Sequence, residues 1–254
     1  MRVSMVWCNV PGCKWGTGPV DLADNLSFSY ECHEGHKSAT IYAAQRFEIL
    51  FDMGMSALLD GYTREAVSSF AVAQERFHEF CVKVFSRAGA VPKSAFDRMW
   101  KSIANQSERQ LGAFYFLYLE HIGDCPPVDD KRTNFRNRVV HKGAIPTSDE
   151  AREYACYVYN YIAEILKTIA TKFVLEIKAV CADDVGDIRN TIASGTTIHV
   201  AADAPTIIWL SNPDKGYAAR TFDAVFRECR SEHINELENR ISDLENDLDD
   251  NDKE

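Results

Sequence analysis

From Ile41 onward the hydrophobic period is 3.6, which predicts a succession of amphipathic helices. Phe47, Leu50, Phe51, Gly54, Ala57 and Leu58 form one face of a first helix that stops at Asp60-Gly61, glycine being favoured just past a helix end. Thr63 offers an N-cap for a second helix, whose stripe is Ala66, Val67, Phe70, Phe77, Cys81 and Val84 and which ends before Gly89 and Pro92. A third pattern starts at Ser94 (Phe96, Met99, Trp100, Ile103), and a fourth, aromatic one runs from Ser107 to about His121. A short basic segment, Asp129 to Val140, is followed by Gly143 and Pro146, which interrupt the pattern. Thr147-Ser-Asp-Glu150 then has the capping-box form and opens a long helix bearing Tyr154, Tyr157, Val158, Tyr161, Ile165, Ile169 and Phe173. Five to six helices joined by short links predict a compact bundle over residues 41–178.

The flanks read differently. Residues 1–40 hold two knuckle-like segments, Cys8-Asn-Val-Pro-Gly-Cys13 and Cys32-His-Glu-Gly-His36, too polar and broken to build a core alone. In residues 179–216, Thr196 to Val200 and Thr206 to Leu210 are β-branched and apolar, and Asp203 to Pro205 supply a turn, so a hairpin is expected. Residues 217–254 read as a helix from about Arg220, with Ile234, Leu237, Ile241, Leu244 and Leu248 spaced as a heptad seam. That seam either packs on the chain's own bundle or pairs with a second subunit or partner.

Composition narrows the class. With 254 residues, 46% of them apolar and 26% charged, the chain is an ordinary globular one, and collagen-like, disordered and disulfide-scaffold readings fall away. The longest apolar run, Ala113 to Leu119, is far short of the roughly 20 residues of a membrane span. Residues 1–10 lack a signal-peptide core, so a cytoplasmic chain with no membrane partner is expected. The net charge of −10 argues at first against nucleic acid. It is unevenly placed: Ser231 to Glu254 carry ten acidic and two basic residues, leaving the preceding 230 residues at −2. Within that nearly neutral body Lys131, Arg132, Arg136, Arg138 and Lys142 form a basic run able to attract phosphate, and the acidic tail is a candidate competitor for it.

That run contains Phe135-Arg-Asn-Arg-Val-Val-His-Lys-Gly-Ala-Ile-Pro146, the chain's only arginine followed five positions later by a histidine. RNA cleavage requires removing the 2′-hydroxyl proton, stabilising charge on the phosphoryl oxygens and protonating the departing 5′-oxygen. Histidine does proton work near neutral pH, and the planar arginine fork matches phosphate oxygens. On a continuous helix, residues five apart point about 140° away from each other. A helix ending near Val140 is therefore expected, so that His141 can turn back toward Arg136. A plainer reading is that a histidine and basic residues there simply favour the helix dipole.

In this segment, in the helical order around it and in Glu75-Arg-Phe-His-Glu-Phe80 the chain resembles the HEPN family, marked by an Arg-polar-x-x-x-His element between the last two helices of a small bundle. The resemblance covers residues 41–178 and implies a mainly α fold. It also implies a metal-independent endoribonuclease that works as a homodimer, with Arg136, Asn137 and His141 of both subunits lining one site and Arg138 and Lys142 as added phosphate contacts. Toxin or abortive-infection effectors against phage are of this kind, which further implies a controlling partner or antitoxin. Some such bundles bind without cutting, so a zinc-stabilised helical adaptor for RNA or protein is the alternative.

The second constellation is Cys8, Cys13, Cys32 and His36, with His33 as an alternative ligand. Three thiolates and an imidazole suit tetrahedral zinc, and the closed ligand count points to a structural ion. His78, His121, His199 and His233 are isolated and read as surface or packing residues. The expected whole is thus a HEPN-like helical bundle with a small N-terminal zinc-binding module, a short β-hairpin and a C-terminal coiled-coil helix.

Overall fold

The computed structural model describes the backbone of residues 2–3, 6–14, 16–17, 20–127, 129–202 and 205–251, and the side chains of 8–14, 16, 20–127, 129–202 and 205–242. Among the described residues the fold is mainly helical: α1 (Arg46–Leu59), α2 (Thr63–Ala88), α3 (Lys93–Ile103), α4 (Ser107–Ile122), α5 (Asp130–Lys142), α6 (Ser148–Lys172), α7 (Val174–Arg189) and α8 (Phe222–Asn251). Short strands precede and interleave with them: β1 (Arg2–Val3), β2 (Val6–Trp7), β3 (Gly16–Thr17), β4 (Val20–Asp21), β5 (Ser27–Glu31), β6 (Lys37–Tyr42) and β7 (Thr197–Ala201).

The core follows from the stripes. α2 packs against α1, α3, α4, α5, α6 and α7, and its Phe70, Phe77, Phe80 and Phe85 are buried. Phe47 meets Phe77 edge-on at 5.2 Å, and Phe51 meets Phe70 at 4.9 Å. Each such ring withdrawn from water contributes about 1.5–3 kcal/mol. α1 and α2 approach so closely that a Cβ on Gly54 would fall 2.6 Å from the Phe70 ring. The capping box of α6 forms as its sequence predicts, with the Thr147 hydroxyl accepting from the Glu150 amide. α5 is held differently, because Val139 is its one buried residue. Its N-terminus is capped by Asp129, whose carboxylate accepts from the Lys131 and Arg132 amides, and its flank is tied by the ion pairs Arg132 to Glu153 and Arg138 to Glu150.

Several expectations are corrected. The hairpin does not form: β7 instead joins β6 in parallel, Ala39 opposite Ile198, to make the sheet β5-β6-β7. Residues 206–210 are not a strand, and of the expected turn Asp203 and Ala204 lie outside the described residues. β6 is covered on both faces, with Ser38, Ala39, Thr40 and Ile41 all buried, so it lacks the alternation that betrays a half-buried strand. The boundary at 40/41 consequently falls inside β6, and that at 178/179 falls inside α7. Thr63 does not cap α2; its hydroxyl donates to the Pro146 carbonyl at 2.8 Å, and Tyr62 holds the cap position. α5 does not end near Val140 but continues to Lys142, where Gly143 at φ 71° closes it. Among the described residues the tail packs on the body over its first three turns, where Phe222 and Val225 are buried, Phe226 and Cys229 lie against the core and His233 meets Asp60 at 3.4 Å; Ile234, Leu237 and Ile241 are 44%, 41% and 57% exposed. The side chains of Leu244 and Leu248 lie outside the described residues.

The segment after β7 is strapped to α1 by two carboxylates one helical turn apart. Glu48, itself buried, accepts from the Thr206 hydroxyl and the Leu210 amide, both at 2.8 Å. Asp52 accepts from the Ile207 amide at 3.0 Å. Desolvation pushes the Asp52 carboxyl up to about 8, the Ile207 amide opposing and the Glu48 charge adding, against an ordinary 3.8. Such a group binds its proton more tightly folded than unfolded, so stability falls as pH rises between those two values. The urea midpoint should therefore decline from about pH 4 to about pH 8, and Asp52→Asn should flatten that decline. Equal slopes for the two proteins would show that Asp52 does not titrate in this window.

Candidate functional site

α5 crosses the bundle beside α2, and Arg136 is the residue it directs at that helix. The Arg136 Nη2 group donates to Glu75 Oε1 on α2 in a close, partly buried ion pair. Its Nη1 group donates to Asn137 Oδ1 at 2.9 Å and faces His141 Nε2 at 3.3 Å. The three residues of the arginine motif are thus brought together within one chain, although α5 is unbroken between them. The long arginine arm spans the divergence that a continuous helix imposes, so no helix end is needed.

The contact is a hydrogen bond in one tautomer of the imidazole only. A guanidinium only donates, so the bond to Nε2 exists only while that nitrogen carries a lone pair and the ring proton sits on Nδ1. His141 is exposed, and Arg136 and Asn137 are partly buried. Three of the five arginine N–H groups are engaged by Glu75, Asn137 and His141, which leaves two for an incoming anion.

These residues stand at the edge of a cleft of about 420 Å³ between α2, α4, α5 and α6. The inner wall is aromatic. Tyr154, Tyr157 and Tyr161 run along one face of α6, ring centroids 6.1 and 6.0 Å apart, and Tyr115 of α4 faces the same space. Deeper still, His78 stacks on Phe114 at 4.6 Å and shares a 2.9 Å hydrogen bond with the Tyr161 hydroxyl. Burial, with the Arg76 charge adding, pushes His78 down to about 3, so it stays neutral. Burial likewise raises the Tyr115, Tyr157 and Tyr161 hydroxyls.

Not every expected residue lies here. Arg138 turns toward the start of α6, pairing with Glu150 at 3.2 Å and lying 5.5 Å from the Phe135 ring centroid. Lys142 is exposed at the end of α5 and, like Arg138, does not line the cleft. Glu75, His78 and the tyrosine row went unrecognised as site residues. The spacing of Tyr154, Tyr157 and Tyr161 by three and four was visible but is equally a core stripe; the pairing of Glu75 with Arg136 joins residues 61 apart and has no local signature.

The N-terminal constellation assembles as its residue types suggest. The ligand atoms of Cys8, Cys13, Cys32 and His36 all lie within 4.8 Å of one another, a set that could hold a metal ion. Cys8 Sγ lies 3.8 Å from His36 Nδ1, and Cys13 Sγ lies 4.0 Å from Cys32 Sγ, too far for a disulfide. The Val10 backbone amide leads in lowering the Cys8 thiol to about 7. His33 is not among the four; its side chain is 65% exposed beside Glu34.

No family model, curated protein or solved structure matches the chain, so its chemistry is read from these two sites. The cysteine cluster yields a direct expectation: elemental analysis of the purified chain should find about one metal ion per molecule. Cys32→Ser should lose that ion and unfold at lower temperature, whereas a metal-free wild type with an unchanged melting curve after chelation would refute the site.

Proposed function

We propose that the protein is a metal-independent endoribonuclease of the HEPN type, active as a homodimer, in which Arg136, Asn137 and His141 act on the phosphodiester. The observation that carries this reading is the contact between the Arg136 guanidinium and Nε2 of His141 at the edge of an open cleft. His141 Nε2 takes the proton of the ribose 2′-hydroxyl, whose oxygen attacks the adjacent phosphorus. The bond to the 5′-oxygen breaks, and that oxygen takes a proton from His141 of a second copy, which enters the step as imidazolium with its Nε2 turned away from Arg136, so that one histidine gains the proton the other loses. The products are a 2′,3′-cyclic phosphate and a 5′-hydroxyl, so atoms and protons balance without a cofactor. Arg136 neutralises the phosphoryl oxygens, and Asn137 holds the guanidinium in place. Exposed on the outer side of the cleft, His141 is open to a second copy. A cytoplasmic toxin or abortive-infection effector under the control of a partner protein is the role that fits such an activity.

Zinc is the metal we assign to the cysteine cluster. A tetrahedral ion with the usual zinc bond lengths needs ligand atoms about 3.6–3.8 Å apart, and the pairs at 3.8 and 4.0 Å are close to that. With four protein ligands the ion would tie the loops after β2 and β5 together and leave no position for substrate, so its part is structural.

One observation favours a second reading. Arg136 is already paired with Glu75, as it would be if the motif merely joined α5 to α2 in a non-catalytic adaptor. The two readings part on RNA incubated with the purified dimer. The nuclease produces 2′,3′-cyclic phosphate ends from RNA and leaves DNA of the same sequence intact. His141→Ala should slow this roughly 10²–10⁴-fold, and Arg136→Ala roughly 10²–10³-fold. RNA left equally intact by the wild type and both variants would overturn the nuclease reading.

A further inference from the structure

The chemistry proposed above uses only the mouth of the cleft and leaves its aromatic interior unexplained. The charged groups lining the comparable cleft on the other side of α2 already have partners, Arg76 with Glu79 at 2.6 Å, Lys83 with Asp184 at 3.1 Å, Arg46 with Asp24 at 3.1 Å and Asp187 with Lys93 at 3.0 Å. The interior behind Arg136 is different. Tyr115 and Tyr157 are partly exposed on its wall, while the polar atoms of its floor, His78 and Tyr161, satisfy each other. The Tyr157 ring lies beside those of Tyr154 and Tyr161 at interplanar angles of 37° and 39°. A ring so flanked is pre-organised, and stacking on it costs little ordering entropy.

We propose that this interior is a nucleobase subsite, which stacks one base of single-stranded RNA on Tyr157 and Tyr115 beside the phosphate held by Arg136. The inference rests on the reading of the cleft as an RNA site and adds the substrate class. A free inorganic anion would use Arg136 and leave the rings uncovered. A duplex keeps its bases stacked inside and cannot present one to a recess. An unpaired strand offers both a phosphate for the mouth and an apolar, planar face for the wall. Gln74, with a donor and an acceptor on one amide, lines the same cleft.

The test uses the full chain and a fluorescent single-stranded oligoribonucleotide carrying 2′-O-methyl groups throughout, so that it binds but cannot be cut, read by anisotropy. Tyr157→Leu removes the ring at similar bulk and should weaken binding roughly five- to a hundredfold. Tyr157→Phe keeps the ring and should stay within about twofold of the wild type, since stacking depends on the π-face. The same sequence as a duplex should bind much more weakly than the single strand. Binding by Tyr157→Leu as tight as wild type, a Tyr157→Phe as weak as Tyr157→Leu, or a duplex as good as the single strand would each overturn the subsite. Adenosine monophosphate binding in a Tyr157-dependent way, with no binding of the oligoribonucleotide, would also overturn it and assign the recess to free nucleotides. Failure of the nuclease reading is distinguishable: a wild type that cuts nothing yet binds the methylated strand through Tyr157 keeps the subsite, whereas unchanged cleavage sites and KM in Tyr157→Leu remove the subsite alone.

Discussion

The constraint on which the rest depends is the packing of six helices around the apolar face of α2. A helix 26 residues long that meets α1, α3, α4, α5, α6 and α7 cannot shift without disturbing every interface at once, because close-packed interiors do not deform continuously. Its wide apolar face, from Ala66 to Phe85, is what draws the other helices around it. The positions left at the edge of that face, Gln74, Glu75 and His78, are therefore held in fixed places. These three lie on the α2 wall of the cleft. The site is precise because the helix that builds it is also the one the core holds most firmly.

Against that fixed wall, α5 is the weakly buried partner. With Val139 its one buried residue and Phe135 and Val140 at the margin of the core, its attachment depends on charge as well as packing, and the bridge from Arg136 to Glu75 is the best shielded of its ion pairs. The same guanidinium meets Asn137 and His141, so one group joins the element to the bundle and organises the motif. An anion arriving at Arg136 competes with Glu75 for it, since one carboxylate and one phosphate claim adjacent edges of the same fork. This double duty explains how an exposed histidine on an ordinary helix end comes to be oriented at all.

Charge and shape are likewise divided between parts of the chain. The acidity belongs to α8, which leaves the body after its first turns with Ile234, Leu237 and Ile241 uncovered. The body keeps its basic run on α5. The strap over residues 205–210 closes the far side of α1 on Glu48 and Asp52, where burial raises both carboxyl groups and the converging backbone and hydroxyl donors offset part of that cost. Gly216 belongs to the same closure, since a Cβ there would strike the Ile208 carbonyl at 2.1 Å.

Periodicity alone was enough for the helical order from α1 to α6, the stop at Gly61 and the capping box at Thr147, because each depends on neighbours within a turn or two of the chain. The residue types of the motif were legible for the same reason, whereas those of the cysteine cluster were legible from their chemistry alone, its two halves being separated by 18 residues. What the sequence left undetermined are the choices among distant partners. β7 read as half of a hairpin because its apolar character is local, but its pairing with β6, some 160 residues earlier, depends on where the bundle places that edge. Thr63 read as a cap, yet the tertiary structure offered its hydroxyl the Pro146 carbonyl instead. Glu75 and His78 carry no local mark of function; only packing α2 against α5 and α6 brings one to Arg136 and the other to Tyr161. The sequence by itself thus determined which segments are helices and which residues can do chemistry, since propensity and reactivity reside in the residue and its near neighbours. The tertiary structure decided which of those residues meet, since long-range contact is set by the shared burial of faces that no short stretch of sequence encodes.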